Sequence, residues 1–174
     1  MTTADVSVRV GWADDAAGIA GVQVRAWQQE YADLLPPLDP ADVAAAWQAA
    51  LAAPKDARNR VLVALDRATV RGFAVVQPSP DPDADPVSDG ELTELSVDPE
   101  HQRQGHGSRL VHAAMDTLRA DRFDRALVWL ASTDDARRGF LVAAGFEADG
   151  AHRELDLHGD GTVTVKQIRL HAGL

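Results

Sequence analysis

The feature that most constrains this sequence is a glycine-rich turn between a strand and a helix. Glu91–Val97 has the residue types of a β-strand, and apolar residues at helical spacing predict a helix from about 105 to 119. Gly105 and Gly107 stand where the connecting loop enters this helix. Glycine allows the backbone to approach an anion closely, and the unpaired N–H groups of a helix start point outward. The sequence therefore predicts a site for phosphate oxygens at this turn.

Two common phosphate-binding motifs do not fit the turn. The dinucleotide-binding fingerprint needs a glycine or alanine three residues after Gly107, where this sequence has Leu110. The P-loop needs glycine, lysine and then serine or threonine, but the only lysines are Lys55 and Lys166. A serine hydrolase is not supported either, because Ser108 lacks the surrounding glycines of a nucleophile elbow. The turn therefore differs from all three classes.

Composition and charge exclude further classes of protein. The chain has 174 residues, the size of one domain, and we expect a single domain over 1–174. It carries 27 acidic and 17 basic side chains, so its net charge of -10 repels nucleic acid and anionic membranes, and we expect neither as a partner. The absence of cysteine excludes disulfides, thiolate metal sites and cysteine nucleophiles. Met1–Asp5 lacks a basic start and an apolar segment, so the expected location is cytoplasmic.

Hydrophobic periodicity predicts a mixed α/β chain with both antiparallel and parallel strand neighbours. Helices are expected at 14–30, 39–53, 105–119 and 134–144, and strands at 6–10, 61–65, 70–76, 91–97, 126–130, from 146 onward and at 163–170. The segment Pro78–Asp89 is rich in proline and aspartate and is predicted to be a surface loop.

The same loop only partly matches a calcium-binding loop. Asp81, Asp83 and Asp85 alternate as they do at the start of such a loop. The motif also needs glycine at its sixth position and glutamate at its twelfth, where this chain has Pro86 and Leu92. We therefore expect no metal at this loop.

Three blocks of the sequence resemble the GNAT superfamily of N-acetyltransferases. Gln102-Arg-Gln-Gly-His-Gly107 matches the family's acetyl-CoA motif, Gln/Arg-x-x-Gly-x-Gly/Ala. Leu95-Ser-Val-Asp-Pro99 and Phe140-Leu-Val-Ala-Ala-Gly-Phe146 match two further blocks, and the three occur in family order. The resemblance covers nearly the whole chain. It implies an α/β (α+β), GNAT-like acyl-CoA N-acyltransferase fold, with a central mixed, mostly antiparallel sheet flanked by helices.

The resemblance implies acetyl-CoA as cosubstrate and no metal. In the family, the backbone of the strand before the motif holds the pantetheine arm, and the glycine turn holds the pyrophosphate. The cofactor-binding residues implied in this sequence are Leu95, Ser96, Val97, Gln102, Arg103, Gln104, Gly105, His106, Gly107, Ser108 and Asp134. For His106, the alternative interpretation is a spacer between the two glycines. His106 and His112 also fall on different helix faces, which argues against a metal-ligand pair.

Acetyl transfer to an amine requires a base, because an alkylammonium must lose a proton before it can attack a thioester. Glu91 and Glu94 are the candidates, and family members often carry glutamate at the position that matches Glu91. In a regular strand, residues three apart lie on opposite faces, so only one of them faces the cleft unless a bulge intervenes. The family's tyrosine, which protonates the departing thiolate, falls at Leu141, so water or Ser132 is expected to serve instead.

Two observations concern the acceptor. Trp27 and Tyr31 lie four apart on one helical face and either pack in the core or line an acceptor pocket, whereas Trp47 and Trp129 are predicted to be core residues. The segment 78–100 contains eight carboxylates and no lysine or arginine. We therefore hypothesise a cationic acceptor, such as a polyamine, an aminoglycoside-like amine or a peptide N-terminus.

The sequence thus predicts an enzyme that moves an acetyl group from acetyl-CoA to a primary amine of a small molecule or peptide, by direct attack with a strand glutamate as general base. The alternative is a CoA-binding module of the same fold with weak or lost catalysis, suggested by Leu141. An unrelated nucleotide-binding domain is a third hypothesis, and it predicts thermal protection by NAD or ATP. Family members often dimerise, so a homodimer is a further expectation.

Overall fold

A computed structural model describes residues 5–174 and contains four helices and seven strands in that range. The strands are β1 (Val6–Val10), β2 (Arg60–Asp66), β3 (Thr69–Pro78), β4 (Asp89–Val97), β5 (Arg125–Ala131), β6 (Glu147–Asp156) and β7 (Thr164–Gly173). The helices are α1 (Ala16–Tyr31), α2 (Pro40–Ala52), α3 (His106–Ala120) and α4 (Asp135–Ala143). Met1–Ala4, which include most of the segment behind the cytoplasmic expectation, lie outside the described residues.

The strands form one sheet in the order β1-β2-β3-β4-β5-β7-β6. Only β4 and β5 pair in parallel, and the other neighbours are antiparallel. The expected mixed, mostly antiparallel sheet flanked by helices is confirmed.

The two faces of the sheet bury two groups of apolar side chains, since successive residues of a strand point to opposite faces. The larger core packs Leu62, Ala74 and their neighbours against the apolar side of α3. The smaller core packs Ile19 of α1 against Phe73 of β3. Trp47 of α2 joins this second core, with its ring 5.3 Å from that of Phe73 in an edge-to-face arrangement. Trp47 is thus half-buried and packs against this core from its edge, in partial agreement with the prediction that it is a core residue.

The helix ends follow the expected local chemistry. Asp39 caps α2 by accepting a hydrogen bond from the N–H of Ala41, with proline at the first helical position. Asp134 caps α4 by accepting from the N–H of Arg137, and Gly145 follows α4 with a φ of +104°. Each of these contacts lies within a few residues of the helix end that it stabilises.

The parallel ladder between β4 and β5 runs from Asp89 opposite Arg125 to Leu92 opposite Val128. Both strands continue beyond this point, but no further β4–β5 pair is recorded within residues 5–174. The sheet thus has a gap between the ends of its two central strands.

The loop before β4 differs from the predicted surface loop. Ser79 and Asp81 are buried, although the intervening and following residues are largely exposed. Trp129 of β5 donates a hydrogen bond to Asp81 at 2.9 Å. The loop therefore lies partly against the sheet. No helix among residues 5–174 has the length and hydropathy to cross a membrane.

Candidate functional site

A β-bulge in β4 decides which of its side chains lie on the face of the sheet that α1 covers. The ladder with β3 pairs Leu92 and Glu94 but skips Thr93 between them. Because of this extra residue, Leu92 and Leu95 both enter the larger core, and Glu91 and Glu94 lie together on the opposite face. A bulge was the condition for two glutamates three residues apart to lie on one face of the strand, and β4 has this bulge.

The turn before α3 adopts a backbone conformation that favours glycine. Gly105 is the N-cap residue and has a φ of +85°. A Cβ at this position would also come within 3.1 Å of Nη1 of Arg109. No side chain among the described residues caps this helix start, so its first N–H groups remain available to an anion.

A cleft of about 850 Å³ opens at the gap between β4 and β5. Its walls come from α1, the end of β4, the turn before α3 and the start of α4. Eight of the eleven predicted cofactor-binding residues line it: Leu95, Val97, Gln102, Arg103, Gly105, Gly107, Ser108 and Asp134. The volume lies within the range of about 300–1,000 Å³ that is usual for small-molecule sites.

The other three predicted cofactor-binding residues are not among those that line the cleft. Ser96 is buried and donates a hydrogen bond from Oγ to Oε1 of Glu94 at 2.6 Å. Gln104 is exposed, and its carbonyl accepts from Arg109. His106 is 2% exposed, and neither ring nitrogen has a hydrogen-bond partner in the described part of the chain. This placement favours the interpretation of His106 as a spacer.

A smaller pocket of about 220 Å³ adjoins the cleft. Glu30, Leu95 and Arg137 line both cavities, so the two meet at these residues. We call these three residues the junction. A group held in the smaller pocket therefore lies next to the end of the cleft.

The smaller pocket brings together the four residues predicted to act on or bind an acceptor. Glu91, Glu94, Trp27 and Tyr31 all line it. The rings of Trp27 and Tyr31 lie 6.3 Å apart, edge to face, and Trp27 donates from Nε1 to Oε1 of Glu94 at 3.3 Å. Of the two interpretations of Trp27 and Tyr31, the pocket-lining one agrees with this geometry.

Both glutamates are harder to ionise than usual. Burial raises the pKa of Glu91, and a hydrogen bond from Ser79 Oγ to its Oε2 at 2.9 Å partly offsets this effect. Burial of the carboxyl group also raises the pKa of Glu94, although Ser96 and Trp27 donate to it. A carboxylate with a raised pKa is a stronger base when it is ionised.

Comparison of the sequence with known protein families shows which family the chain belongs to. The model of the acetyltransferase (GNAT) family matches residues 22–146, which contain both glutamates, the glycine turn and the cleft residues. This chain belongs to the GNAT acetyltransferase family. A search of curated proteins finds no match.

Solved structures similar to this GNAT chain share its fold. The putative acetyltransferase yncA of Salmonella typhimurium, solved with acetyl-CoA, has a TM-score of 0.74 and 19% identity, over 98% of this chain and 94% of that chain. The PaiA N-acetyltransferase of Thermoplasma acidophilum, solved with coenzyme A, has a TM-score of 0.71 and 14% identity, over 98% and 99%. An acetyltransferase of Thermus thermophilus has a TM-score of 0.68 and 18% identity, over 97% of each chain.

Several residues of the smaller pocket of this GNAT chain were not predicted from its sequence. Arg153 and Gln167 line it from β6 and β7, and Trp129 lines it from β5. Trp129 was predicted to be a core residue, but it is partly exposed and carries Arg153 over its ring at 4.2 Å. Apolar residues run without alternation from Ala126 to Ala131, so β5 carried no sequence signal that Trp129 lines a pocket.

No acidic side chain suited to protonate a thiolate stands at the family's tyrosine position in this GNAT chain. Leu141 is fully buried and lines the smaller pocket. Ser132 lines neither cavity. Tyr31 lines the smaller pocket, but burial and the charges of Glu30 and Glu94 raise its pKa well above the usual value. Tyr31 is thus a poor acid.

Arginines neutralise part of the acidic segment 78–100. Four of its eight carboxylates form ion pairs: Asp81 and Asp83 with Arg169, Asp89 with Arg125, and Asp98 with Arg25. The segment therefore presents less free negative charge than its composition indicates. The hypothesis of a cationic acceptor loses this support.

One group of side chains has the spacing of a metal site. Ligand atoms of Asp98, Glu100 and His101 all lie within 4.8 Å of one another. Asp98 already accepts from Arg25 at 2.9 Å and from the N–H of Glu100 at 3.2 Å. These bonds account for the position of the carboxylate, which caps the short 3-10 turn Pro99–His101 and pairs with Arg25.

Proposed function

We propose that this GNAT protein transfers the acetyl group of acetyl-CoA to a primary amine by direct attack. The observation that carries the proposal is the bulge at Thr93, which sets Glu91 and Glu94 in a pocket that meets the cleft at the junction. The cleft holds the cosubstrate and the smaller pocket holds the amine. Both reactants then lie side by side, as direct transfer requires.

The residues of the cleft fit acetyl-CoA, which supplies the activated thioester when bound. The uncapped start of α3 faces the loop with free N–H groups, and Arg103 adds a positive charge for the pyrophosphate. The end of β4, where Leu95 and Val97 line the cleft beside the gap in the sheet, offers backbone groups to the pantetheine amides. Strand-like hydrogen bonds from these groups would hold the arm when acetyl-CoA is bound.

We assign the base to Glu94 in preference to Glu91. The charges that act on the Glu94 carboxyl include those of Glu30 and Arg137, which are both junction residues. The charges near Glu91 come instead from Asp81, Arg153 and Arg169, on the other side of the pocket. Glu94 also directly precedes the junction residue Leu95 in β4 and accepts a hydrogen bond from Trp27, which lies about one helical turn before the junction residue Glu30. In this proposal Glu94 takes the proton from the attacking amine, while the departing thiolate, with a pKa near 8.5 by analogy with cysteine, takes a proton from water.

The test measures thiol release from acetyl-CoA across a panel of primary amines. Glu94→Gln is expected to lower kcat/KM about 100-fold or more, as loss of a general base does, and Glu91→Gln is expected to lower it less. Glu154→Gln is the matched control, because Glu154 is an exposed β6 residue that lines neither cavity. A larger loss in Glu91→Gln than in Glu94→Gln would transfer the role of base to Glu91.

A second candidate function is a CoA-binding module without catalysis, favoured by the buried Leu141 where relatives carry tyrosine. Thermal protection by acetyl-CoA, together with no amine-dependent thiol release in wild type, would support the module over the enzyme. Protection by NAD or ATP but not by acetyl-CoA would contradict both.

A further inference from the structure

We propose that the acceptor amine also carries an anionic group, as an α-amino acid does, and that Arg153 binds this group in the smaller pocket. The inference rests on the proposed function and deepens it by naming the substrate class. It replaces the cationic acceptor with a compact zwitterion.

The side chain of Arg153 is held in place by its neighbours, but they do not occupy all of its N–H donors. Its guanidinium stacks on Trp129 at 4.2 Å, and its Nε donates to Oε1 of Gln167 at 2.8 Å. The remaining recorded polar partner among residues 5–174 is Asp81, 3.5 Å from Nη1. A guanidinium has five N–H donors, so a stacked and oriented fork remains open to a carboxylate.

A purely structural role does not account for Arg153. Asp81 is the buried acid nearby, and it already accepts from Arg169 at 3.1 Å and from Trp129 at 2.9 Å. Arg169 is also buried, whereas the side chain of Arg153 keeps 38% of its exposure. Arg169 shares its charge among Asp81, Asp83 and Asp149, so Arg153 supplies part of the counter-charge of Asp81. That single contact of 3.5 Å leaves most N–H donors of Arg153 open to the pocket.

The pocket carries both signs of charge, with Glu30, Glu94 and Arg137 toward the junction and Glu91 and Arg153 on the other side. Arg137 is paired with Glu30 and Asp134, which leaves Arg153 as the arginine open to an anion. Glu94 lies toward the junction, where the amine must attack, and Arg153 lies on the side of Glu91. A zwitterion could pair its ammonium with the glutamates and its carboxylate with Arg153 at the same time. The pocket volume of about 220 Å³ is below the usual range for drug-sized ligands, which favours a small zwitterion over a polyamine.

The experiment compares acceptors that differ only in the anionic group. L-leucine, L-leucinamide and 3-methylbutylamine share one side chain, and the wild-type protein is expected to use L-leucine with a kcat/KM at least 10-fold above the other two. Arg153→Gln should reduce the ratio of leucine to 3-methylbutylamine turnover about 10- to 100-fold, the loss of one charge-assisted contact. Arg153→Lys should recover part of the ratio, since it restores the charge without the fork. Arg119→Gln, an exposed α3 residue outside both cavities, is the control.

Several outcomes would overturn the inference. Equal use of the three acceptors by wild type contradicts an anionic subsite, and an equal loss for all acceptors in Arg153→Gln assigns Arg153 a structural role only. A preference for leucine that survives in Arg153→Gln places the subsite elsewhere. If no amine is acetylated, the proposed function fails, and calorimetry with acetyl-CoA present still tests the subsite: leucine binding in wild type that is lost in Arg153→Gln supports it, and its absence contradicts it.

Discussion

At the scale of single residues, the site contains carboxyl groups whose burial opposes the ionisation that their proposed roles require. Glu91 and Glu94 must ionise to act as bases or to hold an ammonium, yet burial raises the pKa of both. The raised folded-state pKa means that the neutral acid is the form the fold favours. Stability from these two groups is fully present below their unfolded pKa and is lost as pH rises through the folded pKa. The pocket therefore reduces stability at the pH where the base works.

His106 has the opposite electrostatic behaviour. Burial is the largest cause that lowers its pKa, followed by the charge of Arg109. Its stability contribution is present above the unfolded pKa of about 6.5 and is lost as pH falls through the lower folded pKa. Its unpaired ring nitrogens also make the neutral form costly to bury.

We predict that His106→Leu raises the free energy of unfolding by about 1 kcal/mol at pH 7.5, because it removes a buried polar ring without hydrogen bonds. The gain should grow below pH 6.5, because unfolding of wild type exposes the imidazole and lets it take up a proton, which favours the unfolded state. Urea denaturation at pH 7.5, 6.0 and 5.0 measures both effects. Thermal protection by acetyl-CoA should persist, and its loss would return His106 to the cofactor-binding residues.

At the scale of elements, the close approach of β3 and β4 fixes the cofactor side of the site. Gly72 lies opposite Val97, and a Cβ on Gly72 would come within 2.9 Å of the carbonyl oxygen of Ser96 and 3.1 Å of Leu110 Cδ1. A backbone carbonyl in a paired strand cannot move independently of the strand. A side chain at 72 must therefore displace the end of β4 or the start of α3.

Gly72→Ala is expected to destabilise the protein by about 1–3 kcal/mol, the usual cost of overpacking, and to weaken acetyl-CoA binding. Gly139→Ala is the matched control. Gly139 lies inside α4 and a Cβ there meets no atom within 4 Å, so alanine should add about 0.5–1 kcal/mol of helix stability. Urea denaturation and an acetyl-CoA thermal shift measure the two variants, and a neutral Gly72→Ala would contradict the tight contact.

The sequence predicted those parts of the elements and the site that depend on local chemistry. The glycine turn before α3 follows from backbone conformation and short-range spacing, whereas the other residues lining the cleft were implied by the resemblance to the GNAT family. The bulge at Thr93 could not be predicted, because it depends on how β4 pairs with β3; the sequence showed only that a bulge would bring Glu91 and Glu94 to one face. Arg153 could not be placed, since its contact with Trp129 joins strands that are distant in sequence.

At the scale of the whole molecule, one buried arginine connects the loop after β3 to the far edge of the sheet. Arg169 of β7 binds Asp149 at 2.7 Å, Asp83 at 2.7 Å and Asp81 at 3.1 Å. The hydrogen bond to Asp81 spans 88 positions in sequence. The loop was predicted to be a surface loop because no local signal reveals this partner. It is instead held against the acceptor side of the site, beside Ser79 and Glu91.

We predict that Arg169→Met lowers the free energy of unfolding by about 3 kcal/mol or more, because Asp81 is left buried without its main counter-ion. Hydrogen exchange in 79–88 should increase as the loop loosens. Arg60→Met is the control, since the Arg60–Asp121 pair, at 2.7 Å, is partly exposed and should contribute within about 1 kcal/mol. Similar losses in the two variants by urea denaturation at pH 7 would show that Arg169 does not anchor the loop.

The bulge at Thr93 also separates the side-chain alternation of β4 before it from the alternation after it. Closing it without removing a residue would turn Glu91 into the core and Leu92 into the pocket, whereas residues from Glu94 onward would keep their faces. The bulge thus sets the faces of Glu91 and Leu92 independently of those of Glu94 and the cleft residue Val97, so a one-residue change of register before position 94 would alter the smaller pocket and leave the cleft as it is.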